Sequence, residues 1–144
     1  MEPDWPSMES AARAALPRAY APYSKFPVAS ALQFADGAIV AGVNVENASY
    51  PLSLCAERAA VAAGIAAGHG EVRAVLVLTD AAEPTPPCGG CRQVLAEHGG
   101  PDVPVRSLTL QGRTAEHRLG VLLPDAFRSE SLDRRNDPPP RHVW

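Results

Sequence analysis

The chain has 144 residues, 46% of them hydrophobic, and a formal net charge of −3. That length suits one domain around one core, and a slightly acidic chain without a long basic run argues against binding nucleic acid. The apolar runs at 59–67 and 75–78 are too short to cross a bilayer, so no membrane partner is expected.

Residues 1–10 carry Pro3, Asp4 and Pro6 and do not read as a secretory leader. Three cysteines, an odd number, fit reduced thiols in the cytoplasm better than a disulfide framework. Residues 7–20 predict a helix with Ser7 as N-cap and Glu9 in its first turn, ended or kinked at Pro17. Residues 20–27 predict a loop and 28–35 a strand. Asp36-Gly37 predicts a hairpin turn, with 39–45 as the returning strand. Residues 44–54, which include Pro51, predict an irregular loop.

Residues 55–67 are rich in Ala and predict a helix, ended by Gly68. The apolar run 72–79, broken only by Arg73, predicts a buried central strand. A Pro-rich loop (80–87) leads to a helix over 89–98, stopped by Gly99-Gly100-Pro101. Residues 103–110 predict a strand, Gln111-Gly112 a turn, 118–123 a strand or extended loop, and 124–127 a short turn of helix. From 129 to 144 the chain is charged and Pro-rich and predicts a mobile tail, with Val143 and Trp144 able to dock. A hairpin followed by strand–helix–strand units makes residues 1–128 an α/β layered domain, with a mixed sheet between helices.

All the cysteines fall in two stretches, Cys55-Ala56-Glu57-Arg58 and Pro87-Cys88-Gly89-Gly90-Cys91-Arg92. Thiolates bind metal, and three of them around zinc leave one tetrahedral position open, as catalytic sites require. Cys55 stands at a predicted helix start and Cys88 and Cys91 flank another, where partial positive charge favours thiolate. Glu57, two residues after Cys55, can handle protons there only because a helix start lets both side chains lean forward. The Cys-x-x-Cys pair by itself also suits half a zinc site or a redox pair, which would leave Cys55 and Glu57 without a role. The full donor set followed by Glu is matched by the zinc deaminases that act on cytosine.

Tyr20-Ala21-Pro22-Tyr23-Ser24-Lys25-Phe26-Pro27-Val28, then Asn44-Val45-Glu46-Asn47-Ala48-Ser49-Tyr50, then both cysteine stretches, occur in that order. Together they resemble the small cytidine deaminases of pyrimidine salvage, from about Tyr20 to Phe127. The resemblance implies a three-layer α/β/α fold with a mixed central sheet. It also implies Zn2+ held by Cys55, Cys88 and Cys91, with Glu57 as the catalytic proton carrier. The reaction implied is hydrolytic deamination of cytidine and 2′-deoxycytidine. By the same resemblance Phe26 packs on the pyrimidine, Asn44 and Glu46 take the ribose, and Ala56 offers backbone groups to the base. Arg58 would donate hydrogen bonds to the ligand sulfurs. Tyr50 and Phe127 would lie at subunit contacts of a homotetramer, with Phe127 closing a neighbour's pocket.

Read without the resemblance, Phe26 suits a core position and Glu46 a solvated surface. A deaminase of a cytosine-containing antibiotic, of the blasticidin-S type, shares the cysteine motifs, although Asn44-Val45-Glu46-Asn47 and Phe26-Pro27-Val28 favour the nucleoside enzyme. A zinc-binding scaffold without catalysis is the alternative from another class. His69, His98, His117 and His142 are scattered, and none is assigned a catalytic role.

Overall fold

Asp36 and Gly37 turn the chain between strand β1 (Val28–Phe34) and strand β2 (Ile39–Val43), as the dipeptide predicts. Gly37 sits at φ 89°, a left-handed conformation that suits a residue without Cβ. The computed structural model describes residues 1–132. β1 pairs on its other side with β3 (Val72–Thr79), buried along its length apart from Arg73. β3 pairs in parallel with β4 (Pro104–Thr109), and β5 (Thr114–Arg118) closes the edge antiparallel to β4. The result is a five-stranded mixed sheet in the order β2-β1-β3-β4-β5.

Alternation along the strands divides the core into two layers. On one face Ala29, Ala31, Ala74, Leu76, Leu78 and Leu108 meet Met8, Ala12 and Leu16 of the N-terminal helical segment. Alanines in β1 let helix α1 (Trp5–Ala15) lie close to the sheet. On the other face Leu32, Phe34, Val75, Val77 and Val105 pack against helix α2 (Ala56–Ala66) and helix α3 (Gly89–His98). Leu119, on the one-turn helix α4 (Leu119–Leu122), joins that layer. The three-layer α/β/α expectation therefore holds.

Three element expectations need correction. α1 starts at Trp5, capped by the Asp4 carboxylate, which accepts from the Ser7 amide at 3.1 Å; Ser7 is inside the helix. Pro6 is tolerated because first-turn amides have no intrahelical acceptor. The helix does end before Pro17, in a 3₁₀ turn over Leu16–Arg18. The last strand is Thr114–Arg118, while 119–122 form α4, so 118–123 is not a strand. Residues 124–127 make a turn followed by irregular chain, not helix. The tail expected from 129 begins with a 3₁₀ turn over Ser129–Leu132, and its remainder, with Val143, Trp144 and His142, lies outside the described residues.

One close approach fixes where α2 begins over the sheet. A Cβ on Gly42 of β2 would lie 2.5 Å from the Ala60 nitrogen and 2.6 Å from the Ala56 carbonyl oxygen. Both are helix backbone, which cannot step aside. Gly42→Ala is expected to destabilise the fold by about 2–3 kcal/mol, roughly 5–10 °C in Tm for a domain of this size. Thermal unfolding checks this, and an unchanged Tm would show that α2 is not held by that contact.

Candidate active site

The first turns of α2 and α3 converge. Cys55 is the N-cap of α2 and Cys88 the N-cap of α3, both with extended backbone, and Cys91 lies in the first turn of α3. The positive ends of both helices thus meet at the sulfurs. All the cysteine sulfurs lie within 4.8 Å of one another. The Sγ atoms of Cys55 and Cys88 are 3.8 Å apart. Thiolates on tetrahedral corners at zinc–sulfur bond length would also be about 3.8 Å apart, so the cluster fits a soft divalent ion such as zinc.

Glu57, the second residue of α2, is only 4% exposed. Its Oε2 accepts from the Cys91 Sγ at 3.6 Å, which brings the carboxyl to the sulfurs without making it one of them. Burial pushes the Glu57 carboxyl above the usual carboxylate range, against the opposing pull of its own backbone amide and the Cys91 thiol. Burial likewise raises the thiols of Cys91 and Cys55. For Cys88 burial acts in the same direction, but the Cys91 backbone and the neighbouring thiols outweigh it and draw the group below the usual thiol range. A carboxyl poised to hold a proton, beside a cluster that can hold a cation, is the equipment of a hydrolytic site.

A cleft of about 330 Å³ opens onto this cluster, with Phe26, Asn44, Glu46, Cys55, Ala56, Glu57 and Cys88 all in its wall. The structure therefore brings the expected substrate-contacting residues to the metal-ligand cluster, whereas Arg58 and the residues assigned to subunit contacts lie outside the cleft wall. It also gives Asn44 and Glu46 a structural task. Asn44 Oδ1 accepts from the Val28 amide at 2.9 Å, and its Nδ2 donates to the Phe26 carbonyl at 2.8 Å. Glu46 Oε1 accepts from the amides of Tyr23 and Ser24 at 3.0 and 3.1 Å. Both side chains pin the loop that carries Phe26. Interaction with the Ser24 side chain and backbone, joined by the Tyr23 amide, holds the Glu46 carboxyl below the usual carboxylate range.

Ser53, Leu54, Thr79, Thr85 and Pro86 also line the cleft and were not anticipated. Thr79 ends β3 beside the parallel strand β4, and sites in such sheets gather at strand carboxyl ends, the one signal that could have found it. Arg58 is exposed on the first turn of α2, and among the described residues its guanidinium has no hydrogen-bond or ion-pair partner. Tyr50 is 71% exposed and stacks edge-on against Tyr23, with ring centroids 5.9 Å apart. Phe127 is 59% exposed and does not line the cleft of its own chain. Of the histidines, His69 pairs with Asp36 at 2.7 Å and does not line the cleft.

Fold and site together define a hydrolytic centre built to hold zinc. Residues 2–107 match the family described as the cytidine and deoxycytidylate deaminase zinc-binding region. A cytidine deaminase of Halalkalibacterium halodurans is 45% identical over 115 residues, covering 80% of this chain and 87% of that protein. One from Mycobacterium tuberculosis is 44% identical over 131 residues, covering 91% and 95%. The crystal structure of cytidine deaminase from Burkholderia pseudomallei superposes with a TM-score of 0.82 at 44% identity, covering 87% of this chain and 100% of that one. The chain belongs to the cytidine and deoxycytidylate deaminase family. No helix among the described residues is long and apolar enough to cross a membrane.

Proposed function

We propose that this enzyme converts cytidine and 2′-deoxycytidine to uridine and 2′-deoxyuridine, with water consumed and ammonia released. The observation that carries the reading is the buried Glu57 carboxyl set against the three-cysteine cluster, at the floor of a cleft of nucleoside size. Cys55, Cys88 and Cys91 would hold the zinc, which when bound supplies the Lewis acidity that makes water nucleophilic near neutral pH. Glu57 takes a proton from the attacking water and passes it to the ring nitrogen. It then takes the remaining proton from the hydroxyl now on carbon 4 and delivers it to the amino group, which leaves as ammonia as that oxygen becomes the carbonyl. Phe26 packs on the pyrimidine, Ala56 offers its backbone to the base, and Asn44 with Glu46 engages the sugar hydroxyls. The loop they pin keeps Phe26 at the cleft and limits water there. Ammonia release from cytidine, measured beside zinc content, tests the proposal.

Arg58 is assigned to offset the negative charge that three thiolates place on a divalent ion. Its place one residue past Glu57, and its lack of any other partner among the described residues, support this. Arg58→Gln is expected to retain zinc but turn over more slowly; equal rates at equal zinc content would make it an ordinary surface residue.

The doubled roles of Asn44 and Glu46 make their substitutions distinguishable. Glu46→Gln keeps an acceptor for the Tyr23 and Ser24 amides but loses the charge offered to the sugar. It is expected to lower kcat/KM on cytidine by roughly ten- to a hundredfold while hardly affecting free cytosine. Asn44→Ala also frees the Phe26 loop, so its losses extend to cytosine. Equal losses on both substrates for Glu46→Gln would argue against a sugar-binding carboxylate.

The enzyme assembles as a homotetramer in the cytoplasm, with Tyr50 and Phe127 at the contacts between subunits. Free thiols in a functional cluster suit a reducing compartment. Two sets of exposed apolar side chains support assembly: Tyr20, Tyr23, Tyr50 and Leu52 on the cleft side, and Val121, Phe127 and Leu132 along the C-terminal segment. Phe127 reaches a neighbour's cleft and closes it over the base.

A further inference from the structure

Helix α3 does more than present two metal ligands. The residues that follow Cys91 reach the C-terminal segment. Arg92 donates through Nε to the Pro87 carbonyl at 2.7 Å and through Nη1 to the Leu122 carbonyl at 2.9 Å. Gln93 donates through Nε2 to the Phe127 carbonyl at 2.8 Å. Returning from the segment, Arg128 Nη1 donates to the Ala96 carbonyl at 3.4 Å. Between the two held carbonyls the chain passes through Asp125 at φ 50°, a left-handed conformation that residues with a Cβ seldom adopt, Asp more readily than most. Such a conformation persists where its surroundings over-determine it, and here the surroundings are the bonds from α3.

The backbone at Phe127 is therefore fixed, yet its ring remains 59% exposed and outside the cleft of its own chain. A free aromatic ring on a loose segment would be unremarkable surface. A ring on a strained, multiply anchored segment is held ready for burial elsewhere, and a second copy of this chain offers a cleft whose mouth still exposes Phe26 and Cys88.

We propose that Gln93 is a positioning residue for the reaction: its bond to the Phe127 carbonyl orients that ring so that it completes the substrate pocket of a neighbouring copy. The inference rests on the shared-pocket reading above and adds the group that enforces it. Through Gln93 the helix carrying Cys91 of one site also sets a wall of the next.

The experiment is steady-state kinetics on cytidine with the zinc-loaded full chain. Gln93→Ala and the isosteric Gln93→Glu, which lacks the donating amide, are each expected to raise KM by roughly three- to tenfold, the equivalent of one neutral hydrogen bond. Turnover at saturation, zinc content and Tm should stay near wild type, a split that general destabilisation would not give. Combining Gln93→Ala with Phe127→Ala should raise KM no further than Phe127→Ala does. Co-assembly with an excess of Glu57→Gln chains, which are inactive but carry intact Gln93 and Phe127, should return the KM of the Gln93→Ala sites toward wild type. If Phe127→Ala raises KM while both Gln93 variants keep the wild-type value, the role of Gln93 is overturned and the shared pocket stands. If Phe127→Ala itself leaves KM unchanged, the shared pocket falls and the inference with it. Raised KM in the Gln93 variants without restoration on co-assembly would place their effect within one chain and reject the link to a neighbour.

Discussion

Glu57→Gln is expected to keep the fold and the zinc while lowering turnover on cytidine by at least about 10²-fold, and up to 10⁴-fold. The amide has the volume of the carboxyl, so the packing around this 4%-exposed side chain survives. It cannot accept a proton near neutral pH, and a proton carrier that cannot be protonated cannot serve water, ring nitrogen and leaving ammonia in turn. Stability should not fall, because burial disfavours the charged carboxylate that the substitution removes. Metal analysis, thermal unfolding and single-turnover kinetics on the same preparation check each part. Near-normal turnover with full zinc would remove Glu57 from the chemistry.

The second large effect is expected at Cys91. It is fully buried, and its sulfur lies 3.6 Å from the Glu57 carboxyl and within 4.8 Å of the other sulfurs. Cys91→Ala leaves two thiols where three converged, so zinc should be lost on gel filtration and deamination should fall below detection. Because metal binds the folded chain, its loss also removes stability, and the variant should unfold at a temperature close to that of chelator-treated wild type. Full zinc occupancy in Cys91→Ala would take this residue out of the metal site.

Much of this arrangement is legible in the residues themselves. β3 and α3 fall where an apolar run interrupted only by Arg73 and a Gly-Gly-Pro stop place them. Asp36-Gly37 marks the hairpin, and the Cys-x-Glu spacing implies the helix start at which Cys55 is found. What escaped is what depends on contacts distant in sequence or on weak patterns. β5 is a polar edge strand that turns only Ala115 and His117 inward, too little apolar alternation to distinguish it from a loop. The start of α1 was misplaced because Ser7 and Asp4 are both good caps, and only the Asp4 carboxylate takes the role. The bracing of the Phe26 loop by Asn44 and Glu46 joins residues far apart in the chain, and no spacing announces it. The bond from Gln93 to the Phe127 carbonyl spans a comparable distance, and the left-handed Asp125 beside it carries no glycine to mark the turn.

The central claim is that a three-cysteine zinc site with Glu57 deaminates a cytosine nucleoside. The most direct test follows ammonia release and uridine formation from cytidine by purified protein whose zinc content is measured in the same sample. Turnover should rise in proportion to zinc, with ammonia and uridine formed in equal amounts, and vanish when a chelator removes the metal. Fully zinc-loaded, folded protein that releases no ammonia from cytidine or 2′-deoxycytidine would contradict it.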